Sequence, residues 1–216
     1  MTMNQTRLHQ LHYQITPEDY AALRACLSDR AEERETRSVY TMFFANYRNR
    51  VPRSPMGELL APDGTVPRFS LHYYDEDPTY LLLVRWLEGR RTSAMVTEAE
   101  CRALLAGETD WLLERHNPLL LDFHESLTEQ MLLPQMSVTY QREIYTADDL
   151  DLRVALDTDI RASMQHMNFL DPQQLERDTS NQDGKILMEI SYSDRIPDDV
   201  LCLLEQNAPR RKLLRR

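Results

Sequence analysis

Glycine, cysteine and long apolar runs are scarce in this sequence, and each scarcity excludes a class of protein. Only five glycines occur in 216 residues, and none are spaced as in G-x-G, which excludes the Walker phosphate loop and the dinucleotide-binding fingerprint. The three cysteines lie far apart without a C-x-x-C pair, so we interpret them as reduced thiols. No apolar run approaches the ~20 residues that span a bilayer, and residues 1–10 have no signal-peptide core. These absences predict a cytoplasmic protein.

The charge balance is acidic, with 35 Asp and Glu against 25 Lys and Arg and a formal net charge of −10. A general nucleic-acid binder needs surplus cations to neutralise phosphates, so this partner class is excluded. Five of the basic residues fall within residues 210–216. We interpret this basic C-terminal tail as a solvated end, with contact to an anionic membrane surface or a membrane-protein partner as the alternative. Residues 1–209 are then predicted to form one domain.

Helix signals and loop signals are separated along the chain. Thr16-Pro17 and Thr97 provide N-caps, and Pro197 opens a C-terminal helix. The predicted helices cover residues 17–28, 97–106, 109–134 with a break near Pro118, and 197–204. The proline-rich stretch 50–67 and the polar stretch 171–184 are predicted to be loops.

Alternation of apolar and polar residues predicts an antiparallel sheet. It occurs in residues 8–15, 68–74, 81–87, 138–145, 152–157 and 186–192. In the third segment we assign Leu82, Val84 and Trp86 to the apolar face and Leu83 and Arg85 to the polar face. Elsewhere the polar faces carry arginine, histidine and small polar side chains. The simplest explanation is one solvated face per strand.

The near-absence of lysine favours a second explanation. The chain has 23 arginines and only two lysines, whereas a solvated face of an acidic protein should carry lysine freely. Guanidinium groups match the oxygens of phosphate, so arginine-rich strand faces indicate an enclosed anion site. A sheet curled into a barrel with a polar lumen would hold water or a charged ligand there.

Three segments resemble a known family. They are LPQMSVTYQRE at 133–143, LRVALD at 152–157 and ILMEISY at 186–192. The first two resemble the pattern L-x-P-x-x-x-V-x-Y-x-R-E and R-V-T-F-D of the VTC domain. This domain is the polyphosphate-polymerase branch of the triphosphate-tunnel (CYTH-like) superfamily. The third resembles its I-L-E-I-K-Y strand, and RSVY at 37–40 resembles R-S-L-Y.

The resemblance implies a fold and a chemistry. The fold is an α+β domain in which an antiparallel β-barrel of the triphosphate-tunnel type is flanked by helices. Basic side chains in the tunnel hold phosphates, glutamates hold Mn²⁺ or Mg²⁺, and the terminal phosphate of ATP passes to polyphosphate. Polyphosphate or a nucleoside triphosphate is the implied ligand. Phosphoryl transfer depends mostly on positioning and charge neutralisation, which such a tunnel can supply.

Carried over by position, the resemblance gives six basic residues, of which His72 stands where the family has an arginine, and one carboxylate. The implied phosphate-binding residues are Arg37, Arg68, His72, Arg85, Arg142 and Arg153, and the implied metal ligand is Glu189. Other positions have lost their charge. Gln10 and Leu83 stand where the family has glutamates, and Ser191 stands where it has a lysine.

The chain keeps more of the family's basic residues than of its carboxylates. This predicts a degenerate member of the family, since one carboxylate is a poor site for a hard divalent ion. The Mn²⁺ or Mg²⁺ cofactor is therefore doubtful, the catalytic residues are unknown, and the chain is predicted to bind phosphates with catalysis weakened or lost. Two alternatives remain at this point. One is an active metal-dependent polyphosphate polymerase that uses ATP, and the other is a non-catalytic protein-interaction domain.

Overall fold

The computed structural model describes residues 9–31, 33–45, 68–87, 90–147, 152–164, 167–181, 184–192, 201 and 212–213. The chain divides into two compact units, each made of separate stretches of the sequence. Unit 1 comprises Met1–Arg37, Tyr140–Ile160 and Gln182–Arg215. Unit 2 comprises Ser38–Thr139 and Arg161–Asn181, with Arg216. Assignment of residues 1–209 to one domain stays a prediction.

Strands and helices alternate irregularly along the described chain, as in an α+β protein. The strands are β1 His9–Ile15, β2 Glu33–Ala45, β3 Arg68–Tyr74, β4 Asp77–Leu87, β5 Arg90–Thr97, β6 Leu133–Ala147, β7 Leu152–Ser163, β8 Ser180–Asn181, β9 Ile186–Tyr192 and β10 Lys212–Leu213. The helices are α1 Pro17–Arg30, α2 Glu98–Leu105, α3 Trp111–Glu114, α4 Pro118–Glu129 and α5 Pro172–Asp178.

The first two helices begin at the predicted caps. Thr16 Oγ1 accepts a hydrogen bond from the Asp19 backbone N–H at 3.1 Å, and Thr97 Oγ1 accepts one from Glu100 at 3.3 Å. In each helix the acidic side chain also accepts from the backbone N–H of the threonine, which completes a capping box. The helices predicted over 17–28 and 97–106 are confirmed by α1 and α2, and the one predicted over 109–134 is confirmed by α3 and α4 as far as Glu129. Its predicted end is wrong, because Leu133 and Pro134 begin β6. Among the described helices, none is long and apolar enough to cross a membrane.

Unit 1 contains the strand order β10-β1-β9-β7-β6. The β1–β10, β1–β9 and β7–β9 pairs are antiparallel. One face of these strands packs on α1 through a core that includes Ile15, Leu23, Leu27, Tyr145, Leu152, Val154, Leu156, Ile186, Met188 and Ile190. The alternation predicted for β1, β7 and β9 is therefore confirmed on the apolar side. The backbone of β10 belongs to the basic tail, and the remaining residues of 210–216 lie outside the described part.

Unit 2 contains the antiparallel strand order β2-β3-β4-β5. Its core joins one face of these strands to the helices through Tyr40, Met42, Phe44, Phe69, Leu71, Tyr73, Leu81, Leu83, Leu112, Leu120, Phe123, Phe169 and Leu175. Tyr40 and Tyr73 stack with ring centroids 4.6 Å apart. Burial raises the pKa of both tyrosines, so their hydroxyls stay neutral in this core.

The loop predicted over 171–184 is wrong for its first half. Helix α5 forms there, with Asp171 as N-cap accepting a hydrogen bond from the Gln174 N–H at 3.1 Å. Leu175 anchors the helix in the core of unit 2 with no exposed surface. A seven-residue helix with one core side chain is too short for its apolar periodicity to be recognised in the sequence. The loop predicted over 50–67 lies outside the described residues, as does the helix predicted over 197–204 apart from Leu201.

Candidate functional site

Side chains of opposite polarity line the two faces of the unit 1 strands. Leu11, Tyr13 and Ile15 of β1 belong to the α1-packed core. Between them, His12 is the direct register partner of Glu189 on β9. Arg153 of β7 is the register partner of Ser191, and this pair lies on the same side as Glu189. We call the surface formed by His12, Arg142, Arg153, Asp157, Glu189 and Ser191 the polar face.

Arg142 and Asp157 form a bidentate ion pair at the centre of the polar face. The Arg142 Nε and Nη2 atoms donate to the two Asp157 carboxylate oxygens at 2.6 and 2.7 Å. Asp157 is only 6% exposed, and the Arg142 guanidinium also lies 5.3 Å from the centroid of the Tyr140 ring. Two short, parallel, charge-assisted hydrogen bonds fix both side chains in place.

Glu189 lies between two arginines without a close hydrogen bond to either of them. Its carboxylate oxygens are 3.7 Å from Arg142 Nη2 and 3.7 Å from Arg153 Nη1. The Ser191 hydroxyl donates to Glu189 Oε1 at 3.4 Å. A nitrogen–oxygen distance of 3.7 Å exceeds the hydrogen-bonding range, so these contacts are loose ion pairs. Arg153 is the more accessible cation, with 40% of its side chain exposed against 20% for Arg142.

The surroundings shift the pKa values of Arg142 and Arg153 in opposite directions. Burial lowers the pKa of Arg142, but the charge of Asp157 outweighs it and the net shift is upward. Burial also lowers the pKa of Arg153; Glu189 offsets this only in part, and the neighbouring charges of Arg142 and Arg37 lower it further. Burial raises the pKa of Asp157 against the opposing effect of Arg142. Of the two arginines, Arg153 therefore has the charge that its surroundings compensate less.

Arg37 of β2 is a further cation of unit 1. Its charge is among the causes that lower the pKa of Arg153. Arg37 also forms an ion pair with Glu35, whose side chain is largely exposed. The structure thus places four of the seven predicted site residues in unit 1, namely Arg37, Arg142, Arg153 and Glu189, and it brings the last three into contact.

The other three predicted residues belong to unit 2. The side chain of Arg68 lies outside the described part of the structure. His72 Nδ1 is 2.9 Å from Thr41 Oγ1, and its Nε2 is 2.7 Å from Ser70 Oγ. Both hydroxyls are almost fully buried, so His72 is fixed by two neighbours on its own sheet.

Arg85 does not share a face with His72. Leu83 pairs with Leu71 and Arg85 with Phe69, which places Arg85 on the helix-packed side of β4. There it forms an ion pair with Asp122 of α4. The prediction that Leu83 and Arg85 form the polar face of β4 is wrong, because Leu83 is fully buried in the core. The consecutive apolar residues of β4 obscured the phase of the alternation.

The residues around Glu189 do not match the donor set of a divalent metal site. In the described ranges, no group of three or more His, Cys, Asp and Glu side chains is arranged to hold a metal ion. Asp157 is already bound through both oxygens by Arg142, and Glu189 has two guanidinium groups within 4 Å. Mn²⁺ and Mg²⁺ prefer several oxygen ligands, and neighbouring cations oppose their binding.

Glu143, the residue after Arg142, organises a second polar cluster that was not predicted from the sequence. Its carboxylate accepts from the Tyr145 hydroxyl at 2.6 Å, the Tyr20 hydroxyl at 2.8 Å and Arg24 Nε at 3.1 Å. Arg34 Nη2 donates to the same carboxylate at 3.2 Å. Burial raises the pKa of Glu143, but these donors outweigh it and the net shift is downward. We call these five residues the Glu143 cluster, and they tie α1 and β2 to β6.

Comparison with known proteins gives one family and several structural likenesses. The family model of the VTC domain matches residues 86–212, more than half of the chain. No curated protein matches the sequence. A candidate adenylyl cyclase from Hippeastrum, described as having a dominant triphosphatase activity, has a similar structure with a TM-score of 0.52 and 13% identity. That likeness covers 94% of this chain and 86% of the other.

Two further structures are similar at lower scores. A candidate adenylate cyclase from Bacillus halodurans has a TM-score of 0.48 at 8% identity and covers 93% of this chain and 87% of its own. A chain of the Mediator head module from Schizosaccharomyces pombe has a TM-score of 0.47 at 11% identity, with coverages of 95% and 96%. The Hippeastrum likeness shows the fold, which is the α+β triphosphate-tunnel fold with an antiparallel sheet and flanking helices.

Proposed function

The chain belongs to the VTC domain family, and on this premise we propose that it binds polyphosphate or the triphosphate of a nucleotide on the polar face of unit 1. Arg37, Arg142 and Arg153 are the proposed phosphate ligands. The observation that carries the proposal is that Arg142 of β6 and Arg153 of β7 each lie 3.7 Å from the Glu189 carboxylate, while Arg37 of β2 is among the charges that lower the pKa of Arg153. Guanidinium is the side-chain group that best matches phosphate oxygens in geometry and charge.

The three arginines have unequal roles in this proposal. Arg142 donates two hydrogen bonds to Asp157, so its main role is to hold the Asp157 carboxylate in place. Arg153 is more exposed, and among the described residues its ion pair with Glu189 is 3.7 Å long, which makes its hydrogen-bond donors accessible to an anion. Arg153 is therefore the principal proposed ligand. Arg68, His72 and Arg85 of unit 2 keep the weaker status of predictions from resemblance.

Catalysis is proposed to be weak or lost. Transfer of a phosphoryl group requires neutralisation of the charge that develops on its oxygens, usually by a bound metal ion. Leu83 stands at a position where the family has a glutamate and lies in the core of unit 2, while Glu189 faces two arginines. Incubation of the full chain with ATP and Mn²⁺ should therefore yield no long-chain polyphosphate. Its accumulation would instead support the active polymerase.

The binding proposal is tested by calorimetric titration of the full chain with tripolyphosphate at low salt and in the presence of EDTA. We expect saturable binding that weakens steeply with added salt, because charged contacts are screened. Inorganic sulfate at equal ionic strength is the matched control, since it carries charge without a chain of linked phosphates. No heat of binding and no rise in melting temperature with tripolyphosphate would overturn the proposed function and favour an interaction domain.

A further inference from the structure

Resting on the proposed function, we infer that Glu189 is an internal counter-anion that competes with phosphate for Arg142 and Arg153. Its carboxylate lies between the two guanidinium groups, 3.7 Å from a nitrogen of each. A phosphate group bound by the same two arginines would need to place its oxygens in this space. The Glu189 carboxylate therefore occupies the proposed anion site, and a ligand binds only by displacing it or by competing with it.

The charges on the polar face support this role. Arg142 and Arg153 contribute two positive charges, and Asp157 and Glu189 contribute two negative ones. These four groups are balanced overall, and the charge of Arg37 is in turn paired with that of Glu35. Removal of one carboxylate charge would leave the arginines with an excess of one positive charge.

Glu189, not Asp157, is the carboxylate that a ligand can displace. Asp157 is held by two hydrogen bonds of 2.6 and 2.7 Å to Arg142, whereas Glu189 has looser contacts with its arginines and a 3.4 Å hydrogen bond from Ser191. Displacing long ion pairs costs less than breaking a bidentate pair. A ligand is therefore expected to push Glu189 aside and to leave the Arg142–Asp157 pair intact.

The inference makes a prediction opposite to that for a metal ligand. If Glu189 served to hold a metal ion that binds phosphate, its replacement by glutamine would weaken ligand binding in the presence of that metal. If Glu189 competes with phosphate, the same replacement strengthens binding when EDTA removes divalent ions. Glutamine has the same size as glutamate and removes only the charge, so the change isolates the electrostatic effect.

The experiment is a calorimetric titration of the full-length wild-type and Glu189→Gln proteins with tripolyphosphate in low salt and EDTA. We expect the variant to bind about fivefold or more tightly than the wild type, from the loss of one nearby like charge. Glu98→Gln is the control, because Glu98 lies on α2 in unit 2 and pairs with Arg102. It removes the same charge from the whole protein and should leave the affinity within about twofold. Arg153→Ala in the Glu189→Gln background should abolish the gain.

The possible outcomes separate this inference from the proposed function. Equal or weaker binding by Glu189→Gln, with clear binding by the wild type, overturns the inference alone. Absence of binding by both proteins overturns the proposed function and the inference with it. Should Glu189→Gln unfold on its own, tripolyphosphate should restore its folded circular dichroism spectrum, because the anion replaces the missing counter-charge. Failure of that rescue also overturns the inference.

Discussion

Arg142 and Glu143 are neighbours in β6, yet their side chains enter two polar clusters with opposite properties. Glu143 receives four donors within 3.2 Å, from two tyrosines and two arginines, on the side that packs against α1. Around Glu189, on the polar face, both arginine contacts are 3.7 Å long. Glu143 thus accepts four hydrogen bonds, whereas Glu189 has two longer ion-pair contacts with arginines.

The contrast indicates which cluster builds the fold and which can take a ligand. A buried polar group with all partners at hydrogen-bond distance is costly to disturb, so the Glu143 cluster is suited to fixing α1 on the sheet. Loose ion pairs are replaced at low cost, so the Arg153–Glu189 contact is suited to exchange with an incoming anion. The Arg142–Asp157 pair lies on the polar face but has the tight geometry of the Glu143 cluster.

The largest expected effect is a loss of stability in Arg142→Ala. The substitution leaves Asp157 buried without its bidentate partner, which should lower the free energy of unfolding by about 3 kcal/mol. Urea denaturation followed by circular dichroism measures this change. A loss below about 1 kcal/mol would show that the tight pair does not support the fold and would break the comparison.

The next effect is a loss of stability in Glu143→Gln without a loss of ligand binding. The charge that two arginines and two tyrosine hydroxyls share is removed, and we expect the free energy of unfolding to fall by about 2 kcal/mol. Urea denaturation gives the stability, and titration with tripolyphosphate below the unfolding range gives the affinity. A folded variant that has lost its affinity would mean that the two clusters are not functionally separate.

Arg153→Ala should have the reverse profile, with little change in stability and roughly tenfold weaker tripolyphosphate binding, as expected for one charge-assisted contact. Its matched control is Arg115→Ala, an identical change at a similarly exposed arginine that pairs with Glu100 in unit 2. We expect the control to bind within about twofold of the wild type. Equal losses in both variants would refute the assignment of Arg153 as the principal ligand.

The smallest expected effect is a pH dependence of stability that arises from the protonation of Glu143. Its hydrogen-bond donors outweigh burial and lower its pKa in the folded state, so its contribution is present above the pKa of the unfolded chain. The contribution is lost as the pH falls through the lowered folded-state value. Wild-type stability should therefore decline more steeply than that of Glu143→Gln as the pH falls below about 4.5. Parallel stability curves in urea at each pH would contradict this assignment.

Local patterns in the sequence predicted β1, β3 and β9, because one face of each strand alternates cleanly against a core. Strand β2 was not predicted as a strand, since its first half is exposed and charged while its second half is almost continuously buried. The apolar and polar faces of β4 were assigned wrongly because Leu81, Leu83 and Val84 are all fully buried. A single sequence does not resolve the phase of a strand that is apolar on both faces.

The candidate site was predictable where it depended on residue type and not where it depended on pairing. The arginines on β6 and β7 and Glu189 on β9 could be selected because their segments resemble the VTC domain. The partners of Glu143 could not, because Tyr20, Arg24 and Arg34 lie more than 100 residues from it along the chain. The separation of Arg85 from His72 likewise depends on strand register, which the local pattern did not determine.

A crystal structure of the full chain grown with tripolyphosphate tests the central claim most directly. We predict phosphate oxygens within hydrogen-bond distance of the Arg153 guanidinium, with Glu189 moved away from it and the Arg142–Asp157 pair unchanged. A tripolyphosphate bound elsewhere, with Arg153 and Glu189 still in contact, would contradict the account.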